Sequence, residues 1–144
     1  MQSTNNQVKF LLNLAKAQSI LSRRFDRGLG GLGFNEFLIL HHLEQSEGRK
    51  LKRVDLAEKI GLTASGVTRL LLPMEKIGLV KSGPIEQDAR VRFILLAPGG
   101  EQKLRDAKER ISELTEEIFP QKREKDLAML SDLLVEIGGR ALMG

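Results

Sequence analysis

Small and polar side chains at four positions of one predicted helix can approach the edges of DNA bases. Thr68 can offer a methyl group to thymine or a hydroxyl to a phosphate, and Arg69 can reach guanine or the backbone. Ala64 and Ser65 lie about one turn earlier, and their short side chains allow the helix to sit close to the groove floor. The predicted DNA-reading residues are therefore Ala64, Ser65, Thr68 and Arg69. For Ser65, capping of the first helical turn is an alternative role.

Basic side chains are concentrated in the same part of the chain. Residues 49–92 carry ten basic and five acidic side chains, whereas the net charge of the whole chain is +4. Such a distribution suits a domain whose affinity for nucleic acid comes largely from phosphate contacts. Arg53, Lys81 and Arg92 are the candidate phosphate contacts, and a merely solvated basic surface is the alternative for each.

His41 and His42 are adjacent in a predicted helix and are the only histidines of the chain. Neighbours on a helix are separated by about 100°, so both side chains cannot easily bind one metal ion from the same face. The favoured interpretation is a hydrogen-bonded histidine within a buried helix, while a ligand-lining role for one of them stays open. No acidic partners for a metal can be identified, so neither a metal site nor a cofactor is assigned.

Two short helices joined by a glycine turn position the DNA-reading residues. The first helix, at about residues 52–60, ends at Gly61, where glycine permits the turn. Thr63 is then a good N-cap for a helix over residues 64–77, whose apolar side chains recur at helical spacing. Pro73 removes one backbone hydrogen bond from this helix and should kink its last turn. The layout is that of a helix-turn-helix.

The flanking segments predict a charged hairpin and four further helices. One strand begins at about Leu79 and the returning strand covers residues 91–96. The helices are predicted over residues 7–27 and 34–45, from Pro98 to a break at Pro120, and over 122–142.

The first helix and the last two helices carry apolar stripes that a small DNA-binding lobe cannot bury. A homodimer in which these helices interlock solves this problem. It also presents two recognition helices to successive major grooves of a palindrome, about 34 Å apart. A monomeric helical bundle with an amphipathic tail is the alternative.

Composition excludes several classes of protein. The chain has no cysteine, which rules out disulfides, thiol-based redox sensing and a cysteine-ligated zinc site. Its apolar runs are too short for a membrane span and its N-terminus lacks a signal-peptide pattern, so we expect a cytoplasmic protein. Phenylalanine is the only aromatic residue present, which argues against recognition of single strands by base stacking. No phosphate-binding loop or nucleophile elbow is present, and the sequence predicts no enzyme.

The sequence resembles the MarR-type (multiple antibiotic resistance regulator) transcription factors over nearly its whole length. The matching pieces are LAEKIGLTASGVTRLL in the helix-turn-helix, MEKIGLV leading into the wing, and DAR followed by LL on the far side of the wing. Asp88 and Arg90 stand at the two positions of the family's Asp-x-Arg wing signature. Ala97 stands where the family usually has threonine, which costs a hydroxyl cap of the following helix.

The resemblance implies a mainly α fold with a small β wing, a winged helix-turn-helix flanked by N- and C-terminal dimerisation helices. We expect a single domain over residues 1–144, in which residues 1–33 and 98–144 form the dimerisation helices and residues 34–97 the DNA-binding lobe. The recognition helix would lie in the major groove and the wing in the minor groove. Arg90 could enter a narrow minor groove, and Asp88 could hold an arginine in place. A weak surface ion pair is the alternative.

These observations predict a homodimeric, sequence-specific regulator of transcription that binds double-stranded DNA, most simply a ligand-responsive repressor. The resemblance implies a small-molecule effector that changes the separation or freedom of the two DNA-binding lobes. One alternative is a winged-helix protein–protein adaptor that has lost DNA binding, and another is a metal-responsive sensor that uses His41 and His42. Steep salt dependence of DNA binding would distinguish the regulator from the adaptor.

Overall fold

The computed structural model describes residues 5–83, 92–119 and 123–143 of the chain. Its helices are α1 (Asn6–Gly28), α2 (Phe34–Gln45), α3 (Arg53–Ile60), α4 (Ala64–Lys76), α5 (Pro98–Ile118) and α6 (Glu124–Leu142), and its strands are β1 (Lys50–Lys52), β2 (Val80–Ser82) and β3 (Phe93–Leu96). The strands form one antiparallel sheet in the order β1-β3-β2. The predicted fold class, mainly helical with a small β wing, is confirmed.

The turn between α3 and α4 forms as the sequence predicts. Gly61 ends α3 in the left-handed region, with φ of 82° and ψ of 25°, a conformation that glycine adopts without steric cost. The Thr63 hydroxyl accepts a hydrogen bond from the Gly66 N–H at 3.1 Å and caps α4. α4 runs through the exposed Pro73 to Lys76. Because this proline lies in the last turn, its missing N–H costs only one bond near the helix end.

Strand β1 was not predicted from the sequence. Residues 50–52 pair with β3 so that Leu51 lies opposite Ile94. Three residues are too few to show a strand period, and the pairing joins segments that are more than forty positions apart in sequence. The described sheet therefore has three strands, where the sequence predicted the two strands of a hairpin.

The compact unit Met1–Ile111 has one apolar core, to which α2, α3, α4, β3 and the first half of α5 contribute. Its largest fully buried side chains are Ile39, Leu40, Leu43, Leu56, Val67, Met74, Ile94 and Leu104. The start of α5 lies against the backbone of Leu79, the residue just before β2. Ala97 donates its N–H to the Leu79 carbonyl at 3.1 Å, and a Cβ at Gly100 would overlap that same carbonyl oxygen.

The second unit, Ser112–Gly144, contains the end of α5 and all of α6. Its α6 presents an exposed apolar stripe of Leu130, Leu133, Leu134 and Ile137, which are 36–41% exposed. In the first unit, α1 likewise leaves apolar side chains exposed along its N-terminal part, namely Val8, Leu11, Leu12 and Ile20. Within the described residues, no helix is both long enough and apolar enough to cross a membrane.

Candidate nucleic-acid interface

The two sides of α4 differ as a recognition helix requires. Its inner side is closed, since Val67, Leu71 and Met74 are all buried. Its outer side carries the residues predicted to bind bases, and we call them the recognition face. Ala64, Ser65 and Arg69 are exposed and Thr68 is half-exposed. The structure thus brings the four predicted residues together on one accessible surface of one helix.

Hydrogen bonds within α4 indicate which groups of the recognition face can contact DNA. The Thr68 hydroxyl donates to the Ala64 carbonyl at 2.9 Å, so its proton already has an acceptor inside the helix. This arrangement favours the Thr68 methyl over its hydroxyl as the contacting group. Ser65 Oγ lies 3.2 Å from Thr63 Oγ1, while the backbone cap itself is made by Thr63. Ser65 thus does not cap the backbone, and its exposed hydroxyl shares a hydrogen bond with Thr63.

The three candidate phosphate contacts lie on different elements of the first unit. Arg53 begins α3 and is half-exposed, and Lys81 on β2 and Arg92 just before β3 are exposed. The Nε atom of Arg53 is buried and has no hydrogen-bond partner among the described residues. Phosphate contact by these three cations stays a prediction.

The predicted wing residues Asp88 and Arg90 lie outside the described residues. The structure does describe the base of the wing, where β2 and β3 pair in antiparallel register. Glu75 in the last turns of α4 accepts hydrogen bonds from the N–H and the hydroxyl of Ser82, at 3.3 and 3.1 Å. These bonds tie the recognition helix to the strand that enters the wing.

The histidine pair lies at the end of a row of aromatic rings. The ring centroids of Phe25 and Phe34, Phe34 and Phe37, Phe37 and His41, and His41 and His42 are 4.9, 6.2, 6.0 and 5.1 Å apart. Burial, then the neighbouring His41 and Lys59, lower the pKa of His42 below its ordinary value. The imidazole of His42 is therefore neutral at physiological pH. The part of the chain that the structure describes contains no cluster of three or more metal-ligating side chains.

Two ion pairs fasten α5 to the last turn of α2 and to the turn before β1 within the first unit. Glu44 pairs with Lys108, and Arg49 pairs with Glu101. The hydrogen bond from Lys108 is the main cause that lowers the pKa of Glu44. Both pairs are partly exposed, so their contribution to stability is small.

Residues 34–91 match the model of the MarR family. The chain carries a MarR-family domain. The matched residues begin at α2 and include the helix-turn-helix, β2 and the wing segment. No curated protein sequence matches the chain.

Solved structures of three transcriptional regulators from Streptomyces coelicolor, of which AbsC and Sco3205 are MarR-family proteins, share this fold with the chain. AbsC is 22% identical with a TM-score of 0.81, and the match covers 100% of both chains. Sco3205, solved in complex with DNA, is 22% identical with a TM-score of 0.79 over 94% of this chain and 90% of its own. PcaV, solved with its natural ligand, is 16% identical with a TM-score of 0.84 over 98% of this chain and 99% of its own. At these identities the likeness concerns the fold, and it extends over the MarR-family domain and the flanking helices.

Proposed function

We propose that this MarR-family chain is a homodimeric regulator of transcription that binds double-stranded DNA in a sequence-specific way. The observation that carries the proposal is the two-sided build of α4. Its apolar side is buried and its N-terminus is capped by Thr63, while Ala64, Ser65, Thr68 and Arg69 remain accessible. Sco3205, which has the same fold, was solved bound to DNA, and this supports the same use of the fold here.

Each predicted site residue takes one role in this proposal. In the major groove, the Thr68 methyl packs against thymine and Arg69 binds guanine or a phosphate, while Ala64 and Ser65 allow the close approach. In the minor groove, Arg90 is the inserted side chain and Asp88 positions an arginine. Arg53, Lys81 and Arg92 contact the phosphate backbone.

The exposed apolar side chains of α1 and α6 support a homodimer. Residues 1–33 and 98–144 would form its interface, and residues 34–97 would form the DNA-binding lobe of one continuous domain. Burying apolar side chains such as Leu11 and Leu134, which are 61% and 41% exposed in the single chain, favours association by about 25 cal/mol for each Å² removed from water. Two such lobes related by a two-fold axis match a palindromic site.

Within this proposal the protein is a cytoplasmic repressor that a small molecule releases from DNA. PcaV was solved with its natural ligand, which supports a ligand-responsive use of the same fold. The effector would favour a dimer whose two lobes no longer fit successive grooves.

Selection of bound duplexes from random DNA, followed by affinity measurements on the enriched site, tests the proposal. We expect a palindrome with half-sites about one helical turn apart. Arg69→Ala should weaken binding to that site by about 1–3 kcal/mol, the usual contribution of one specific side-chain contact. Lys76→Ala in the last turn of the same helix, where Lys76 is also exposed, is the control. Failure to enrich any duplex would support the adaptor alternative instead.

Repression is tested separately, by transcription from a promoter that overlaps the selected palindrome. We expect the purified protein to lower the transcript yield in proportion to operator occupancy. An increased yield would show activation and would leave DNA binding intact.

A further inference from the structure

Lysines lie on both edge strands of the three-stranded sheet and share its outer face. In the antiparallel register Lys50 and Lys81 lie on either side of Leu95, and Lys52 lies opposite Phe93. Successive side chains of a strand point to opposite faces, and the alternate positions of β3 are the buried ones. We call Lys50, Lys52 and Lys81 the sheet lysines. The unpredicted strand β1 contributes two of them.

The sheet lysines concentrate positive charge, and no carboxylate among the described residues pairs with them. Two strand spacings, about 10 Å, separate Lys50 from Lys81, and two residues along β1, about 7 Å, separate Lys50 from Lys52. All three side chains are exposed. Like charges at these spacings repel each other, and an external anion relieves that repulsion.

Contacts with the central strand hold part of this charge in place. The Lys50 ammonium lies 4.6 Å from the centroid of the Phe93 ring, within the range of a cation–π interaction. Phe93 and Leu95 are half-buried, and lysine stems can cover such apolar surface while their ammonium groups stay in water. The outer face is thus a charged surface on a rigid sheet.

We propose that Lys50 and Lys52, together with Lys81, bind the phosphate backbone of duplex DNA beside the site that α4 recognises. The proposal rests on the proposed function, because β2 and β3 lead directly into the wing segment, residues 84–91. A minor groove that receives this wing is bordered by phosphates, which are the polyanion nearest to the base of the wing. Contacts of this kind add affinity and salt dependence but carry no sequence information.

The competing explanation is that lysines on edge strands only prevent the addition of further strands. The double variant Lys50→Gln/Lys52→Gln separates the two explanations when its affinity for the selected palindrome is measured across a salt series. Each lost phosphate contact lowers the slope of log K against log salt by about 0.9, so we expect a loss of about 1.8 per bound chain. Between 50 and 200 mM salt, the advantage of the wild type over the variant should then shrink about twelvefold per bound chain, or about 150-fold for a dimer on the palindrome.

Two further variants control for charge and folding. Lys59→Gln/Lys76→Gln removes the same charge from exposed positions on α3 and α4, and its slope should stay near that of the wild type. Lys50→Arg/Lys52→Arg keeps the charge and should keep the slope. Circular-dichroism melting shows whether each variant folds.

The outcomes are distinct. If the folded glutamine variant keeps the wild-type slope, the sheet-lysine proposal is wrong whether or not the variant aggregates. The proposed function is not affected by that result. An equal loss of slope in the Lys59/Lys76 control also overturns the sheet-lysine proposal, because the effect would then follow net charge. If the wild-type protein binds neither the palindrome nor random duplex, the proposed function fails together with this inference.

Discussion

Substitutions at Thr68 separate its methyl group from its hydroxyl in DNA recognition. The hydroxyl donates to the Ala64 carbonyl at 2.9 Å, so its proton is occupied within α4. Thr68→Val keeps the β-branch and the methyl group but replaces the hydroxyl with a second methyl, whereas Thr68→Ser keeps the hydroxyl and loses the methyl. We expect the valine variant to bind DNA like the wild type and the serine variant to bind more weakly.

The magnitude follows from the buried methyl group. Removing one methyl from an apolar contact costs about 0.8 kcal/mol, which is about fourfold in Kd for one recognition helix. A dimer that loses the contact in both half-sites should weaken about fifteenfold if the two losses add. Loss of the bond to the Ala64 carbonyl should cost little stability, because such bonds within a helix are slightly destabilising.

Fluorescence anisotropy with the selected palindrome measures these affinities, and a scan that replaces each thymine by uracil locates the methyl partner. The uracil duplex that weakens the wild type should have no further effect on Thr68→Ser. If valine weakens binding while serine leaves it unchanged, the hydroxyl is the contacting group and the reasoning from the Ala64 bond is wrong. Melting curves of both variants exclude unfolding as the cause.

Two further predictions concern the fold. Gly100→Ala should lower the free energy of unfolding by about 3 kcal/mol, the upper end of ordinary overpacking, because its Cβ would overlap the Leu79 carbonyl oxygen. Gly138→Ala on α6, where nothing lies within 4 Å of the added Cβ, should instead stabilise the helix by about 0.5–1 kcal/mol. Urea denaturation measures both free energies of unfolding, and equal values for the two variants would refute the packing argument. The pKa of His42 is lowered below 6.5 by burial and by its basic neighbours, so the stability that it contributes is complete above pH 6.5 and is lost as the pH falls towards the lowered value. His42→Gln should flatten this part of the stability profile, and parallel profiles for variant and wild type between pH 7.5 and 5.5 would contradict the assignment.

Local signals in the sequence were sufficient to predict the helix-turn-helix. Gly61 takes the left-handed conformation that ends α3, and Thr63 caps α4 through the Gly66 N–H. The apolar spacing of α4 correctly separated its buried side from the recognition face. Each of these features depends on residues within one or two helical turns, so propensity, capping and periodicity are enough to predict them.

The three-stranded base of the wing depends on tertiary structure. β1 has only three residues and exists because Leu51 pairs with Ile94 across the sheet, a contact that no local pattern encodes. The same pairing brings Lys50 and Lys52 beside Lys81. The closeness of Gly100 to the Leu79 carbonyl likewise follows only from how α5 meets the strand region.

The sequence by itself determined the type of protein, its helix-turn-helix and the residues of the recognition face. These follow from short-range rules of helix formation and from the motif that the residues spell out. The tertiary structure decided that His42 is partly buried near Lys59 and which lysines share one face of the sheet. Hydrogen-bond partners, burial and strand register join distant residues, and they become defined only when the chain is packed.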